Sequence, residues 1–190
     1  MFKETEDLKM ALPQEKQREI VFQMLYGYDI GRASEEELVN LLMKELAVTK
    51  KVMLDAQDRV RKIAAILPEL DEMIKAASQS YQFDRIQTVE RNILRLGLFE
   101  IFFDDQIPAK VAISEAIRLT RKFGTPESAG FVNAILDSLY KISQGKYVDI
   151  DQLGKSVEEL AKSEKIANEA ALESKKNESK ELDEQKEDKK

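Results

Sequence analysis

The 190-residue chain has no cysteine and no histidine. The first absence excludes disulfides and thiolate chemistry, and the two together remove imidazole bases and the usual zinc ligands. Glycine and proline are scarce, at 7 and 4 residues, which disfavours a turn-rich sheet protein. A membrane span needs about 20 mostly apolar residues. The most apolar stretch, Glu90 to Phe103, is shorter and carries charges of both signs. The start, MFKETEDLKM, has no apolar core of the kind a secretory signal requires, so a reducing cytoplasm is the expected compartment. No cofactor or metal is expected, and no catalytic residue is assigned.

What is present suits a helical domain with a solvated appendage: 43% hydrophobic and 35% charged residues. The net charge of −6 argues against a broad nucleic-acid surface. Residues 146–190 hold 10 Lys and 13 Asp+Glu, so removing them leaves the remainder acidic as well. An RNA partner would need a local basic patch, or one shared with a more basic protein.

The stretch Glu90 to Phe103 organises the rest. Apolar residues at Ile93, Leu94, Leu96, Leu98, Phe99, Ile101, Phe102 and Phe103 make a helix greasy on nearly every side, and such a helix needs packing partners all round. Arg91 and Arg95, four apart, share a face that is expected to lead to solvent or to a partner. Before it, Pro13 suits the first turn of a helix to about Tyr28, with Ile20, Val21, Met24 and Leu25 inside and Lys16, Arg18 and Gln23 left as surface groups. Gly27 and Gly31 close that helix. Ser34 and Glu37 have the capping-box spacing, opening a helix with Leu38, Leu41, Leu42 and Leu46 as its buried stripe. A long helix follows from about Thr49, and Pro68 ends or kinks it. A further helical piece spans 69–79, and Phe83 packs in a connector.

After the central helix, Pro108 marks a break. The next helix, from about Lys110 to Phe123, buries Val111, Ile113, Ala116, Ile117 and Thr120 and leaves Arg118, Arg121 and Lys122 outside or at the edge. Thr125 as N-cap and Pro126 at the first helical position start a last helix to about Ile142. Beyond Gly145, Leu153, Val157, Leu160 and Ala161 have the spacing of one amphipathic helix. The Lys-, Glu-, Ser- and Asn-rich residues from about 163 onward are expected to be disordered.

Three strings, VERNILRLGLFEIFF, IPAKVAISEAIRLTRKFG and the S-x-x-F-V-N of Ser128, Phe131, Val132 and Asn133, resemble in order and spacing the C-terminal half of the NusB family of transcription antitermination factors. REIVFQMLY from Arg18 to Tyr26 and FDRI from Phe83 to Ile86 extend the resemblance to roughly residues 13–142. It implies an all-α fold of two packed helical bundles, which agrees with the seven helices read above. Residues 1–12 form a flexible start, and residues 143–190 a charged low-complexity tail, partly helical or disordered.

The resemblance also implies a non-enzymatic role. Family members pair with the ribosomal protein NusE, bind single-stranded boxA RNA, and join the elongating RNA polymerase during ribosomal RNA transcription. Carried over residue by residue, the RNA surface would be Lys16, Arg18, Gln23, Tyr26, Glu127, Ser128 and Phe131, and the protein-partner edge Glu90, Arg91 and Arg95. Cations on phosphates and aromatic or polar groups on splayed bases suit single-stranded RNA.

Blander roles stand beside these. Arg91 and Arg95 serve equally as solvated or ion-paired groups, Phe131 and Tyr26 as core residues, Asn133 as a helix-to-helix hydrogen bond, and Arg118, Arg121 and Lys122 as a solvated face. One departure matters. Where many members have an arginine-rich run, Pro13-Gln14-Glu15-Lys16-Gln17-Arg18 keeps two cations and adds an acid. Weak RNA binding alone is expected, with greater dependence on the protein partner. The alternative is a scaffold or homodimer of the same fold with little RNA affinity. An enzyme fused to such a domain would need a glycine-rich nucleotide loop, and no two glycines are closer than Gly27 and Gly31.

Overall fold

The computed structural model describes residues 12–31, 34–78, 83–125 and 127–149, with scattered positions between Lys155 and Ala170. Among the described residues there are seven α-helices and no strand: α1 Gln14–Ile30, α2 Glu35–Leu46, α3 Lys50–Ala65, α4 Leu67–Ser78, α5 Thr88–Phe102, α6 Ala109–Phe123 and α7 Ser128–Ser143. A short 3-10 turn, Phe83–Arg85, precedes α5.

Local chemistry sets the boundaries. Pro13 stands one position outside α1, where its carbonyl accepts the N–H groups of Lys16 and Gln17. The helix runs past Gly27 to Gly31, because Gly27 is a contact and not a stop. A Cβ there would lie 2.7 Å from Leu38 Cδ2, so its absence lets α2 approach. The Ser34/Glu37 capping box forms in both directions: Ser34 N–H donates to Glu37 Oε2 at 2.9 Å, and Glu37 N–H donates to Ser34 Oγ at 3.3 Å. Thr49 caps α3 by accepting from Val52 N–H. Pro68 falls in the first turn of α4, where no helical N–H partner is needed, and the chain bends at Ile66.

The α5 helix is the axle. Every residue from Asn92 to Glu100 is buried, and α1, α3, α4, α6 and α7 all pack on it. On one side α1, α2 and α3 contact one another; on the other, α6 and α7 pair and α4 touches α7. These are the two bundles expected, sharing α5.

Two stripe assignments fail: Leu41 is 54% and Val111 43% exposed. Each sits at the margin of an arc that its neighbouring helix does not cover. Asn133, expected between helices, is exposed. Thr125, expected as the N-cap of the last helix, stands outside it: α7 begins at Ser128 behind Glu127, which makes no side-chain cap, and the Thr125 hydroxyl accepts from Ser128 N–H at 3.2 Å, whereas Pro126 lies outside the described residues. So do Leu153, Val157 and Ala161, the first eleven residues and nearly all of the tail beyond 163. Among the described residues no helix is long and apolar enough to cross a membrane.

Candidate nucleic-acid interface

Two charged ties hold α1 antiparallel to α5. At its start, Arg18 Nε donates to both carboxylate oxygens of Glu100 at 2.9 and 3.0 Å. Arg59 of α3 reaches the same carboxylate at 2.9 Å and Asp104 at 2.8 Å. At its end, Asp29 Oδ2 accepts from Arg91 and Asn92, each at 2.9 Å, and from Arg95 at 3.1 Å. Arg95 also grips Asp71 of α4 with two bonds, at 2.8 and 2.9 Å, the forked geometry that makes arginine–carboxylate pairs strong. Burial pushes the Asp29 carboxyl up, but hydrogen bonds from Arg91 and Asn92 and the Arg95 charge outweigh it and hold it below its ordinary value. Burial works against the Arg95 charge, and Asp71 and Asp29 overcome it.

These ties correct several expectations. Arg18, read as a surface cation, is buried against Glu100, and Glu90 and Arg95, read as an exposed partner edge, are buried too. Arg91 and Arg95 do share a face, but it leads to Asp29 and Asp71. Arg91 alone of the three stays half exposed, with its guanidinium 5.6 Å above the Phe83 ring. A charge drawn from water needs a partner inside, and each of these arginines finds one.

A second seam joins α1 to α6. The buried carboxylate of Glu19 lies 2.8 Å from both Arg118 and Lys122 and 3.6 Å from Lys16. Burial raises its pKa, but Lys122 and Arg118 more than reverse that, leaving it lowered. Arg118 also donates to the Glu15 carbonyl at 3.1 Å. The lysine side chains stay 49% exposed at Lys122 and 36% at Lys16, and Arg121 is exposed. An aromatic strip runs alongside: Phe22 lies 4.8 Å from Phe123 and 6.2 Å from Tyr26, with Lys122 Nζ 5.5 Å above Phe123. In the sequence alone Arg118, Arg121 and Lys122 have the pattern of a plain solvated face. The available signal was a matched spacing of four, Glu15 and Glu19 on one helix against Arg118 and Lys122 on another.

The α7 start adjoins this seam through Gly124 and Thr125. Ser128 Oγ donates to Glu90 Oε1 at 2.8 Å, so the Thr125 hydroxyl, 2.8 Å away, donates to Ser128. Glu90 Oε2 is buried with no hydrogen-bond partner among the described residues. Ser128 and Phe131 are buried at 0% and 2% exposure, so they anchor the helix and do not face outward. Of the seven residues expected at the RNA surface, Lys16, Gln23, Tyr26 and Glu127 keep solvent-exposed area.

A polar cavity of about 320 Å³ opens behind Arg59, lined by Gln17, Asp55, Phe99, Phe103, Asp104 and Gln106 among others. Among the described residues no three carboxylates converge to hold a metal ion.

Comparison with known proteins fits this geometry. Residues 15–141 match the model of the NusB family. The transcription antitermination protein NusB of Chlamydia pneumoniae is 42% identical over 133 residues, spanning 70% of this chain and 83% of that protein. Among solved structures, NusB of T. maritima superposes with a TM-score of 0.60 at 33% identity, over 70% of this chain and 93% of that one. A crystal structure of the antitermination factors NusB and NusE in complex with dsRNA matches with a TM-score of 0.59 at 26% identity, over 68% of this chain and 96% of that one. The family match ends at residue 141.

Proposed function

The chain belongs to the NusB family, and from that premise we propose that it is a transcription antitermination factor that takes up boxA RNA together with ribosomal protein NusE and joins the elongating RNA polymerase. The role is non-enzymatic, and it is exercised in the cytoplasm. The family match over residues 15–141 carries the reading. The likeness to a NusB–NusE complex holding RNA supports the two partners.

The α1–α6 seam is the surface we assign to RNA. Lys122 uses one of its three ammonium protons on Glu19, and Lys16, at 3.6 Å, pairs with it through charge without a hydrogen bond. The remaining donors face solvent and can accept phosphate without leaving Glu19 buried and unpaired. Arg121 adds a further cation, and Gln23 and Tyr26 lie further along α1 with polar and aromatic groups for bases. Arg91 and the Phe83 ring below it are the accessible remainder of the protein-partner edge. Arg18, Ser128, Phe131, Glu90 and Arg95 serve by fixing the helices that present these groups.

Fluorescence anisotropy with single-stranded boxA RNA, its duplex and a scrambled strand, each with and without NusE, tests the proposal. Weak, salt-sensitive binding alone and a tighter ternary complex are expected. No complex in any arm refutes it. Glu19 already engages three of the seam's cations, and this observation favours one alternative: a scaffold or homodimer with little RNA affinity. Tight NusE binding without a salt-dependent RNA component would select it.

A further inference from the structure

The polar cavity beside the start of α1 takes no part in the seam with α6. Gln17, the residue after Lys16, lines it from α1, and Asp55, Arg59 and Lys62 line it from α3. Phe103 and Gln106, from the end of α5 and the turn after it, stand exposed at its mouth. At about 320 Å³ it falls at the small end of the range for small-molecule sites, about 300–1,000 Å³.

Charge narrows what fits. Lys62 is held by Asp58 at 2.8 Å, and Arg59 by Glu100 at 2.9 Å and Asp104 at 2.8 Å. Asp55 is left over: it is exposed and has no hydrogen bond or ion pair among the described residues. It stands four residues before Arg59 on the same helix, the spacing at which an acid and a base ordinarily pair. Arg59 turns to α5 and Asp104 instead, so an acceptor and a cation line the same cavity without bonding each other. An anion there would meet Asp55, Asp58 and Asp104, and a cation would meet Arg59 and Lys62. A neutral ligand with donors and acceptors of its own avoids both penalties.

The aromatic groups set its shape. The Phe99 and Phe103 rings lie nearly parallel, 16° apart in plane and 6.4 Å between centroids. Arg59 covers Phe99 at 5.6 Å, whereas Phe103 is 41% exposed, a flat platform of the kind on which a nucleobase stacks. Arg59 Nη2 holds both carboxylates and Nε is buried without a partner, which leaves Nη1 neither bonded nor shut in. The side-chain amides of Gln17 and Gln106, each with an acceptor and two donors, make no hydrogen bond among the described residues.

We propose that this cavity binds a guanine base. The Watson–Crick edge of guanine sets one acceptor, O6, beside two donors, N1–H and the N2 amino group. The Asp55 carboxylate only accepts, and its two oxygens take both donors. Arg59 Nη1 donates to O6, a pairing arginine also makes when it reads guanine in a groove, and the ring stacks on Phe103. Adenine and cytosine offer a single amino group on that edge and uracil a single ring N–H, so none of them fills the carboxylate. The base comes from free guanosine or from an unpaired guanosine in RNA. The site stands apart from the RNA reading above, and only the second source rests on it.

Isotope-labelled full-length protein titrated with guanosine, inosine and adenosine, and followed by amide chemical shifts, tests the proposal. Guanosine is expected to move amides within 55–62 and 99–106 together. It binds about tenfold or more tighter than inosine, which lacks the N2 amino group and so loses one hydrogen bond to a charged acceptor. Asp55→Asn, a change at an exposed side chain outside every tie described, keeps the melting temperature and loses the preference for guanosine over inosine. Phe103→Leu weakens guanosine and keeps the preference. A uridine hexamer, with and without one guanosine in place of a uridine, separates the sources: guanosine-dependent shifts at the same amides assign the base to RNA, and shifts with the nucleoside alone assign it to the free form. Equal affinity for the three nucleosides, shifts elsewhere in the protein, or a preference that survives Asp55→Asn overturns the proposal. So does silence of the cavity toward both guanosine and the guanosine-bearing strand. Failure of boxA RNA to bind the protein refutes the RNA reading and leaves a guanosine response standing.

Discussion

Replacing Arg18 with methionine separates two roles for the start of α1, a surface cation for phosphate and an internal tie between helices. Arg18 is 6% and Glu100 1% exposed, with Arg18 Nε 2.9 Å from one carboxylate oxygen and 3.0 Å from the other. Removing one partner of a buried pair costs about 3–5 kcal/mol, because the other charge stays behind unpaired. Arg59 remains 2.9 Å from Glu100, so the lower end, about 3 kcal/mol, applies at neutral pH. Burial already pushes the Glu100 carboxyl above its ordinary value, with Arg18 and Arg59 pulling back only in part. Without Arg18 it rises further. A carboxyl raised in the folded state contributes stability that is fully present below its unfolded value, near 4.5, and is lost as pH rises through the folded value. The penalty of Arg18→Met is therefore larger at pH 7.5 than at pH 5.

Urea unfolding followed by far-ultraviolet circular dichroism at both pH values measures it. Arg18→Met combined with Glu100→Leu leaves no orphan carboxylate and recovers most of the loss. The same proteins titrated with RNA over a salt series give the second reading, since each phosphate neutralised on a single strand adds about 0.7 to the slope. Arg18→Met leaves that slope unchanged at pH values where the variant is folded, whereas Lys122→Gln lowers it by about 0.7. A loss under about 1 kcal/mol at both pH values, the size of a surface pair, or a lowered slope in Arg18→Met, refutes the internal tie.

Ser128→Ala removes the hydroxyl that donates to Glu90, whose other oxygen is buried without a partner among the described residues. A loss of about 1–3 kcal/mol is expected in the same urea assay, and a neutral effect would refute a stabilising role for this bond. Gly97→Val forces bulk into the contact of α5 with α6 and α7, since even a Cβ would lie 3.0 Å from Leu136 Cδ1; thermal melting is expected to show about 1–3 kcal/mol of overpacking strain. Asp29 has a depressed carboxyl, so its contribution is present above the unfolded value near 3.8 and is lost as pH falls through the lowered value. The wild type is therefore expected to keep its advantage over Asp29→Asn at neutral pH and to lose it only in strong acid, as an acid-unfolding series would show.

Helices were legible because a helix reports on itself: residues three and four apart share a face, and Ser34/Glu37, Thr49 and Gly145 punctuate the chain by chemistry confined to a few neighbours. Burial of charge was not, because it depends on partners remote in sequence. Arg18 meets Glu100 82 residues away, Glu90 meets Ser128 38 away, and Arg95 meets Asp71 24 away. A charged side chain is almost never fully buried unless paired, so with the partner invisible the sequence puts Arg18 and Glu90 at the surface and leaves Arg95 open between a partner edge and an ion pair, of which the ion pair forms. Leu41 and Val111 err in the opposite sense, since periodicity marks an apolar arc without saying how much of it a neighbour covers.

Folding redistributes the exposed cations of the first helix. Counted along the chain, α1 begins with two cations, Lys16 and Arg18, set between Glu15 and Glu19. Folded, Arg18 and Glu19 both turn inward, which leaves Lys16 as the one exposed cation of that motif, beside exposed Glu15. A single cation cannot hold a strand of RNA. Glu19, however, draws Arg118 and Lys122 of α6 to the same place, and Arg121 stands exposed on the same helix. The acid that dilutes the basic start of α1 in the sequence is thus the group that recruits a second helix to it, and on the proposed RNA reading the phosphate contacts pass from α1 alone to the seam between α1 and α6.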